Sequence, residues 1–284
     1  MNKIKILIDS PSDLSLEKAK ELDIKVIPVK LSMGEDEELL KDKYDITPDE
    51  FYAKIREEGI IPKTVQITPY EFEEAFKEFA DDYDDLICIT LSSASSGTHR
   101  NAVMAKETVE SEKDVKIHIV DSKTFSFVYG YLGILASDLV KEGKSAEEIV
   151  KILEDKVETS TAFFTVETLE YLKKGGRITT LSAIIGGVLD IRPILKITDE
   201  GLVAAFDKVK GEKKVFSKLA EYVKAEADKH ENPLIYLLYS DRKDKTEKMQ
   251  ELLEAEGLKI AGYEQVGAII GSHAGPGVFG ITII

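Results

Sequence analysis

Five short stretches of the 284-residue chain collect the side chains able to do chemistry. Asp9-Ser10-Pro11-Ser12-Asp13 follows the first apolar run. Pro62-Lys63-Thr64-Val65-Gln66 stands just before a capped helix. Ser92-Ser93-Ala94-Ser95-Ser96-Gly97-Thr98 runs from an apolar strand straight into a helix. Lys173-Lys174-Gly175-Gly176-Arg177 sets an arginine behind two glycines, where backbone can approach a ligand closely. Gly271-Ser272-His273-Ala274-Gly275-Pro276-Gly277 reads as a loop of small residues joining two strands.

The donors in these stretches suit one kind of ligand. Threonine and serine hydroxyls, backbone N–H groups, Arg177 and His273 all favour a carboxylate or a phosphate. Free N–H groups at a helix N-terminus add to that preference. Each stretch also has an ordinary reading. Asp9 to Asp13 can be a helix-capping loop, and Thr64 with Gln66 can be turn chemistry. A lone histidine is more often structural, so His273 stays open to either reading. The serine-rich stretch is different: four serines, a glycine and a threonine in seven residues exceed what capping needs.

Several chemistries are excluded. The Gly-Lys-Ser/Thr ending of a P-loop is missing, and so is a G-x-S-x-G elbow. Four scattered histidines and one cysteine make no metal cluster, so no metal and no cofactor are expected. The net charge of -15 opposes binding to nucleic acid, whose phosphates call for Lys and Arg. It also opposes electrostatic docking on anionic lipid, leaving transient membrane contact at most. Cys88 lies in the apolar run LICIT and reads as a buried small hydrophobe. With no intrachain disulfide possible, a reducing, cytoplasmic compartment is expected. The start MNKIKILIDS is too short an apolar run for a signal peptide, and no run approaches the ~20 residues of a membrane span.

The elements that must hold these stretches alternate between strand and helix in the first half. Lys3–Ile8, Ile24–Leu31, Leu86–Leu91 and Val115–Val120 read as strands. Helices are expected over Ser15–Leu22, from the capping boxes at Thr47 and Thr68, over Thr98–Val109, in a long stretch to Glu142, and from the cap at Ser145. GEDEELLKDKYDI between them looks like an exposed excursion. This alternation implies a mostly parallel, Rossmann-like sheet. The second half has STAFFTV as a strand, short helices over Thr168–Lys173 and Thr179–Leu189, and a hairpin around Asp199-Glu200-Gly201. Helices over Lys213–Lys229 and Lys243–Glu256 alternate with strands over Pro233–Ser240, Lys259–Gln265 and Val278–Ile284. The expectation is an α/β protein of two firmly packed domains, residues 1–158 and a mixed α+β sandwich at 159–284.

The set IDSPSDL, PKTVQIT, SSASSGTHRNA, YLKKGGRI and HAGPGVFG, in this order along nearly the whole chain, resembles the DegV family of bacterial fatty-acid-binding proteins. The resemblance implies a long-chain fatty acid held between the two domains and no chemistry by this chain alone. It implies a partner as well, an ATP-using fatty acid kinase subunit that turns the presented carboxylate into acyl phosphate. Carried over by position, Thr64, Ser96, Arg177 and His273 surround the head group. Ser93, Ser95 and Gly97 belong to the same serine motif, and Asp9, Ser10 and Gln66 are secondary candidates. Two residues depart from the family pattern: Val65 stands where a serine is usual, and Ser95 where a leucine is usual. Apolar segments near Ala183–Leu189 and Phe163–Val166 are expected to line the slot. Two other readings use the same residues. One is a serine hydrolase with Ser96 as nucleophile and His273 as base. The other is a regulatory module for a small phosphorylated ligand, whose pocket would be narrow and polar.

Overall fold

The computed structural model describes residues 2–34, 38–177 and 191–284. The first half runs β1 (Ile4–Asp9), α1 (Leu16–Glu21), β2 (Ile24–Ile27), β3 (Lys30–Ser32), β4 (Leu40–Lys41), α2 (Pro48–Glu58), β5 (Lys63–Val65), α3 (Pro69–Lys77), β6 (Asp85–Thr90), α4 (Thr98–Glu112), β7 (Lys116–Asp121), α5 (Phe127–Lys141) and α6 (Ala146–Thr159). Four of these strands form a wholly parallel sheet in the order β2-β1-β6-β7.

Its strands are apolar on both faces because helices cover both. Ile6, Ile8, Ile87 and Ile89 point into the layer of α5 and α6, and Leu7, Leu86 and Cys88 into the layer of α3 and α4. Cys88 is fully buried there, as a small hydrophobe. The sequence carries this alternation as unbroken apolar runs, since successive side chains go to opposite faces.

The second half runs β8 (Thr161–Thr165), α7 (Glu170–Gly175), β9 (Ile191–Ile197), β10 (Val203–Lys210), α8 (Glu212–Ala227), β11 (Ile235–Tyr239), α9 (Asp244–Ala255), β12 (Ile260–Gln265), α10 (Ala268–Ala274) and β13 (Phe279–Ile283). Its sheet has the order β10-β9-β8-β13-β11-β12, antiparallel except for the β11–β12 pair. One face packs on α8 and α9 through Leu219, Val223, Leu237, Leu253 and Ile281. The other turns toward the first half, where α5 lies between the two sheets. The ring of Phe127 of α5 packs against that of Tyr236 of β11 at 4.9 Å and a tilt of 58°. An α5 that is apolar nearly all round suits that double burial.

Three expectations change. Ile24–Leu31 is not one strand: β2 ends at Ile27, and β3 belongs to a separate small sheet of order β4-β3-β5. Pro28 lacks the N–H to extend the ladder, so the chain leaves the sheet there. The segment around Asp42 is not wholly exposed, because Asp42 is fully buried. His273 is not in a loop but in the last turn of α10, a seven-residue helix. The expected helix at Thr179–Leu189 lies outside the described residues. Among the described residues, no helix is long and apolar enough to cross a membrane.

The capping boxes form as their sequences require. Thr68 Oγ1 accepts from Glu71 N at 3.3 Å, and Glu71 Oε2 accepts from Thr68 N at 2.8 Å. Thr47–Glu50 and Ser145–Glu148 repeat the arrangement. Replacing Thr68 by Ala should lower unfolding stability by about 0.5–2 kcal/mol. Denaturant unfolding checks this as a lower midpoint at unchanged slope.

A second prediction concerns the buried Asp9 at the end of β1. Its carboxylate accepts from Leu91 N at 3.1 Å and from the Tyr129 hydroxyl at 2.8 Å. Burial nevertheless pushes its pKa up to about 7, against these bonds and the nearby Lys43. The folded chain therefore keeps a proton that the unfolded chain has already released. Stability must fall as pH rises through that window, from about 4 for an unfolded aspartate to about 7. Wild type should lose stability relative to Asp9→Asn across it, and the two curves should run parallel at higher pH. Unfolding curves that stay parallel throughout would refute the assignment.

Candidate functional site

Between the two sheets lies a cavity of about 250 Å³. A single water needs roughly 10–15 Å³ on this measure, so the space holds a sizeable ligand. The first half supplies Val29, Leu91, Phe125 and Val128 to its walls, and the second half supplies Ala162, Phe164, Leu172, Ile197, Val203, Leu238, Val266, Ile269 and Val278. Many of these also belong to the main apolar core, so the cavity is a continuation of that core. Its polar lining residues are Thr64, Gln66, Ser95, Ser96, Thr98, Ser126, Arg177 and His273.

The polar groups are brought there by elements far apart in sequence. Thr64 sits on β5, held beside Leu31 of β3. His273 comes from α10, and its Nε2 lies 3.0 Å from Thr64 Oγ1. Burial and the Arg177 charge hold the imidazole pKa down, to about 4, so the ring is neutral. Its Nδ1 is buried with no hydrogen-bond partner among the described residues. Gly175 of α7 backs onto that atom, where a Cβ would stand only 2.5 Å away. A bare nitrogen is tolerated at such a spot better than an unpaired N–H. We therefore assign the proton to Nε2, which donates to Thr64 Oγ1 and leaves the threonine hydrogen free to point at a ligand.

Ser96 lines the same cavity just before α4. Its hydroxyl donates to Thr98 Oγ1 at 3.0 Å and accepts from Thr98 N at 3.2 Å. Ser95 lines the cavity too, but its hydroxyl donates to Gly201 O at 3.1 Å, alongside Ser92 at 2.7 Å. Two serines thus hold the tip of the β9–β10 hairpin. A Cβ at Gly201 (φ +80°) would meet Ser92 Oγ at 2.2 Å, so glycine is required there. Arg177 is exposed at the rim, and its Nη1 donates to Gly175 O.

The other candidates stand elsewhere. Ser93 is exposed and does not line the cavity; its N–H donates to Asp121 at 3.0 Å. Gly97 opens α4 behind Gln66, whose Oε1 would be 2.2 Å from a Cβ there. Asp9 belongs to the core network described above. Ser10 Oγ accepts from Val29 N at 3.1 Å and is also outside the lining. Of the expected apolar walls, Phe163 and Phe164 are present, and Ala183–Leu189 lies outside the described residues. Ser126, Phe125 and Val128 were not anticipated. Their one local signal is the run FSFV at the head of an unusually apolar helix, which says buried but not where.

The sequence profile of the family described as "Uncharacterised protein, DegV family" matches residues 3–284. A DegV domain-containing protein of Caldanaerobacter subterraneus subsp. tengcongensis is 34% identical over 283 residues, covering 99% of this chain and 98% of its own. Protein DegV of Bacillus subtilis is 29% identical over 280 residues, 98% of each chain. Among solved structures, a DegV family protein from Thermus thermophilus described for fatty acid binding superposes with a TM-score of 0.89 at 30% identity, covering 99% of both chains. A stearic acid-binding protein from Eubacterium ventriosum superposes with a TM-score of 0.91 at 26% identity, covering 99% of this chain and 98% of its own. On the match to nearly its whole length, the chain belongs to the DegV family.

Proposed function

We propose that this chain binds a long-chain fatty acid between two domains, residues 1–158 and 159–284, and presents the carboxylate to a separate ATP-dependent fatty acid kinase subunit. The observation that carries the reading is the cavity itself: a mostly apolar continuation of the core, about 250 Å³, with the Thr64–His273 pair at its polar side. Each methylene buried there is worth ~0.8 kcal/mol, so the acyl chain supplies affinity and the donors supply orientation. Thr64, Ser96, Arg177 and His273 surround the carboxylate in this reading. Relatives of the same fold described as binding fatty acid, stearic acid among them, support it. Arg177 at the rim serves the partner or the head group from outside. A cytoplasmic setting belongs to the same proposal.

The rival readings fit less well. A serine hydrolase needs its base on the nucleophile, yet His273 Nε2 pairs with Thr64 while the Ser96 hydroxyl donates to Thr98. A small phosphorylated ligand would leave most of the aliphatic wall unfilled.

Protein purified from a bacterial host should release a long-chain fatty acid on extraction, seen by mass spectrometry. Delipidated protein should rebind palmitate. Thr64→Val and Ser96→Ala should each weaken that binding by about 0.5–1.5 kcal/mol, roughly two- to tenfold in Kd, without unfolding the chain. With a kinase subunit and ATP present, acyl phosphate should form, and these variants should slow it. Folded protein that neither carries nor rebinds any acyl species would sink the reading.

A further inference from the structure

Behind the cavity wall, one carboxylate joins three distant parts of the chain. Asp13 is buried in the turn after β1. Its Oδ2 accepts from the hydroxyl of Ser126, 113 residues away, and its Oδ1 accepts from the N–H of Gly267 at 2.9 Å, 254 residues away. Ser126 lines the cavity and immediately precedes α5, and it does so in a strained backbone conformation (φ 56°, ψ -151°). Gly267 is the N-cap of α10, the helix that carries Ile269, Ile270, His273 and Ala274 to the cavity. The approach is close: a Cβ at Gly267 would lie 2.6 Å from Asp13 Oδ1.

We propose that Asp13 is a positioning residue for the polar end of the cavity, fixing the start of α5 through Ser126 and the start of α10 through Gly267, and so setting where His273 stands against Thr64. The helix is only seven residues long and makes no side-chain cap of its own. Unpaired N–H groups at its N-terminus favour a negative charge, which Asp13 supplies from the other half of the chain. A shift at the start of so short a helix is felt at its last turn, where His273 sits.

The ionised form does the holding, since it accepts at both oxygens. A proton on Oδ1 would remove the acceptor of the Gly267 N–H, and one on Oδ2 would reverse the Ser126 bond, so either way a charge-assisted contact is weakened. The groups facing Asp13 decide when that happens. Burial pushes its pKa up, and the Lys43 ammonium, Ser126 and Gly267 oppose this while Asp42 adds to it, leaving it at about 7. Asp9 on β1, Tyr52 on α2, Tyr129 on α5 and Glu264 on β12 complete the network, the last acting through Lys43. Lys43 itself is tied in through the carbonyl of Leu14 at 2.7 Å.

The test uses the full chain with labelled histidines, and its first arm needs no ligand. In wild type, the His273 ring resonances should pass through an inflection near pH 7 that follows Asp13. Asp13→Asn should abolish that inflection. Ser126→Ala removes a donor to the ionised carboxylate, so it should move the inflection to higher pH. The second arm rests on the fatty-acid reading. Palmitate should bind about tenfold more weakly to Asp13→Asn, with a pH profile flatter than that of wild type. If wild type does not bind palmitate, the fatty-acid reading fails and the first arm still decides the role of Asp13. A folded Asp13→Asn protein that keeps the wild-type His273 titration overturns the proposal. So does one that loses thermal stability alone, with affinity and pH profile intact. Should Asp13→Asn not fold, an inflection left unmoved in Ser126→Ala overturns it instead.

Discussion

The arrangement turns on the docking of α10 between the two halves of the chain. This helix is too short to be stable from its own hydrogen bonds. It exists because its surroundings fit it at every turn. Asp13 meets its first N–H, with Asp42 close behind. Tyr52 of α2 packs so near Gly271 that a Cβ there would lie 2.5 Å from the hydroxyl oxygen. Ala268 and Ile269 join the core of the first half, while Ala274 joins the core shared by both. The next residue, Gly275, turns the chain at φ +81° with Tyr171 against it, and β13 follows into the centre of the second sheet. His273 is thereby fixed from both sides before any ligand arrives.

A second set of contacts holds the halves together around the same helix. Arg56 of α2 donates to both oxygens of Glu167, at 2.9 and 3.2 Å, and to Asp241 at 2.7 Å. Asp241 in turn accepts from Gly277 N at 2.7 Å, just beyond α10. An isolated exposed ion pair contributes little, but a bidentate arginine within a network is the favourable case. On the opposite side, Ser92 and Ser95 hold the hairpin tip at Gly201. The apolar cavity is the space left between these fastenings. Its neutral histidine and hydroxyls form a polar end without adding a fixed buried charge, and among the described residues the one permanent cation in its lining, Arg177, stays at the exposed rim.

How much of this was legible follows the range of each interaction. Capping boxes at Thr47, Thr68 and Ser145 are local, and the structure forms all three. The parallel sheet was readable because apolar runs such as DLICIT repeat at βα spacing. The serine-rich stretch was readable as a cluster of donors but not in its division of labour. Ser95 and Ser96 both line the cavity, while Ser92 and Ser95 fasten a hairpin more than a hundred residues away. Ser95, where the family pattern has leucine, therefore gains a structural partner. The glycines and proline around His273 signal a turn in the sequence, and only tertiary packing makes the helix there. The Thr64–His273 pair spans 209 residues and the Asp13–Gly267 bond 254, so no local pattern could give either. By resemblance the family motifs put Thr64 and His273 near one head group, whereas Asp13, within the first polar stretch, read only as part of a capping loop.

The central claim is that the polar end holds an ionised carboxylate inside an otherwise apolar space. Burial alone would push such a group toward its protonated form, and donors from Thr64 and Arg177 would have to outweigh that. A fatty acid labelled with carbon-13 at its carboxyl, bound to the delipidated chain and followed by NMR as pH is lowered, reads the balance directly. The account predicts a single bound carboxyl that stays ionised to below about 4.3, the value of an ordinary solvated carboxylic acid. A bound carboxyl that takes up its proton near neutral pH would contradict it.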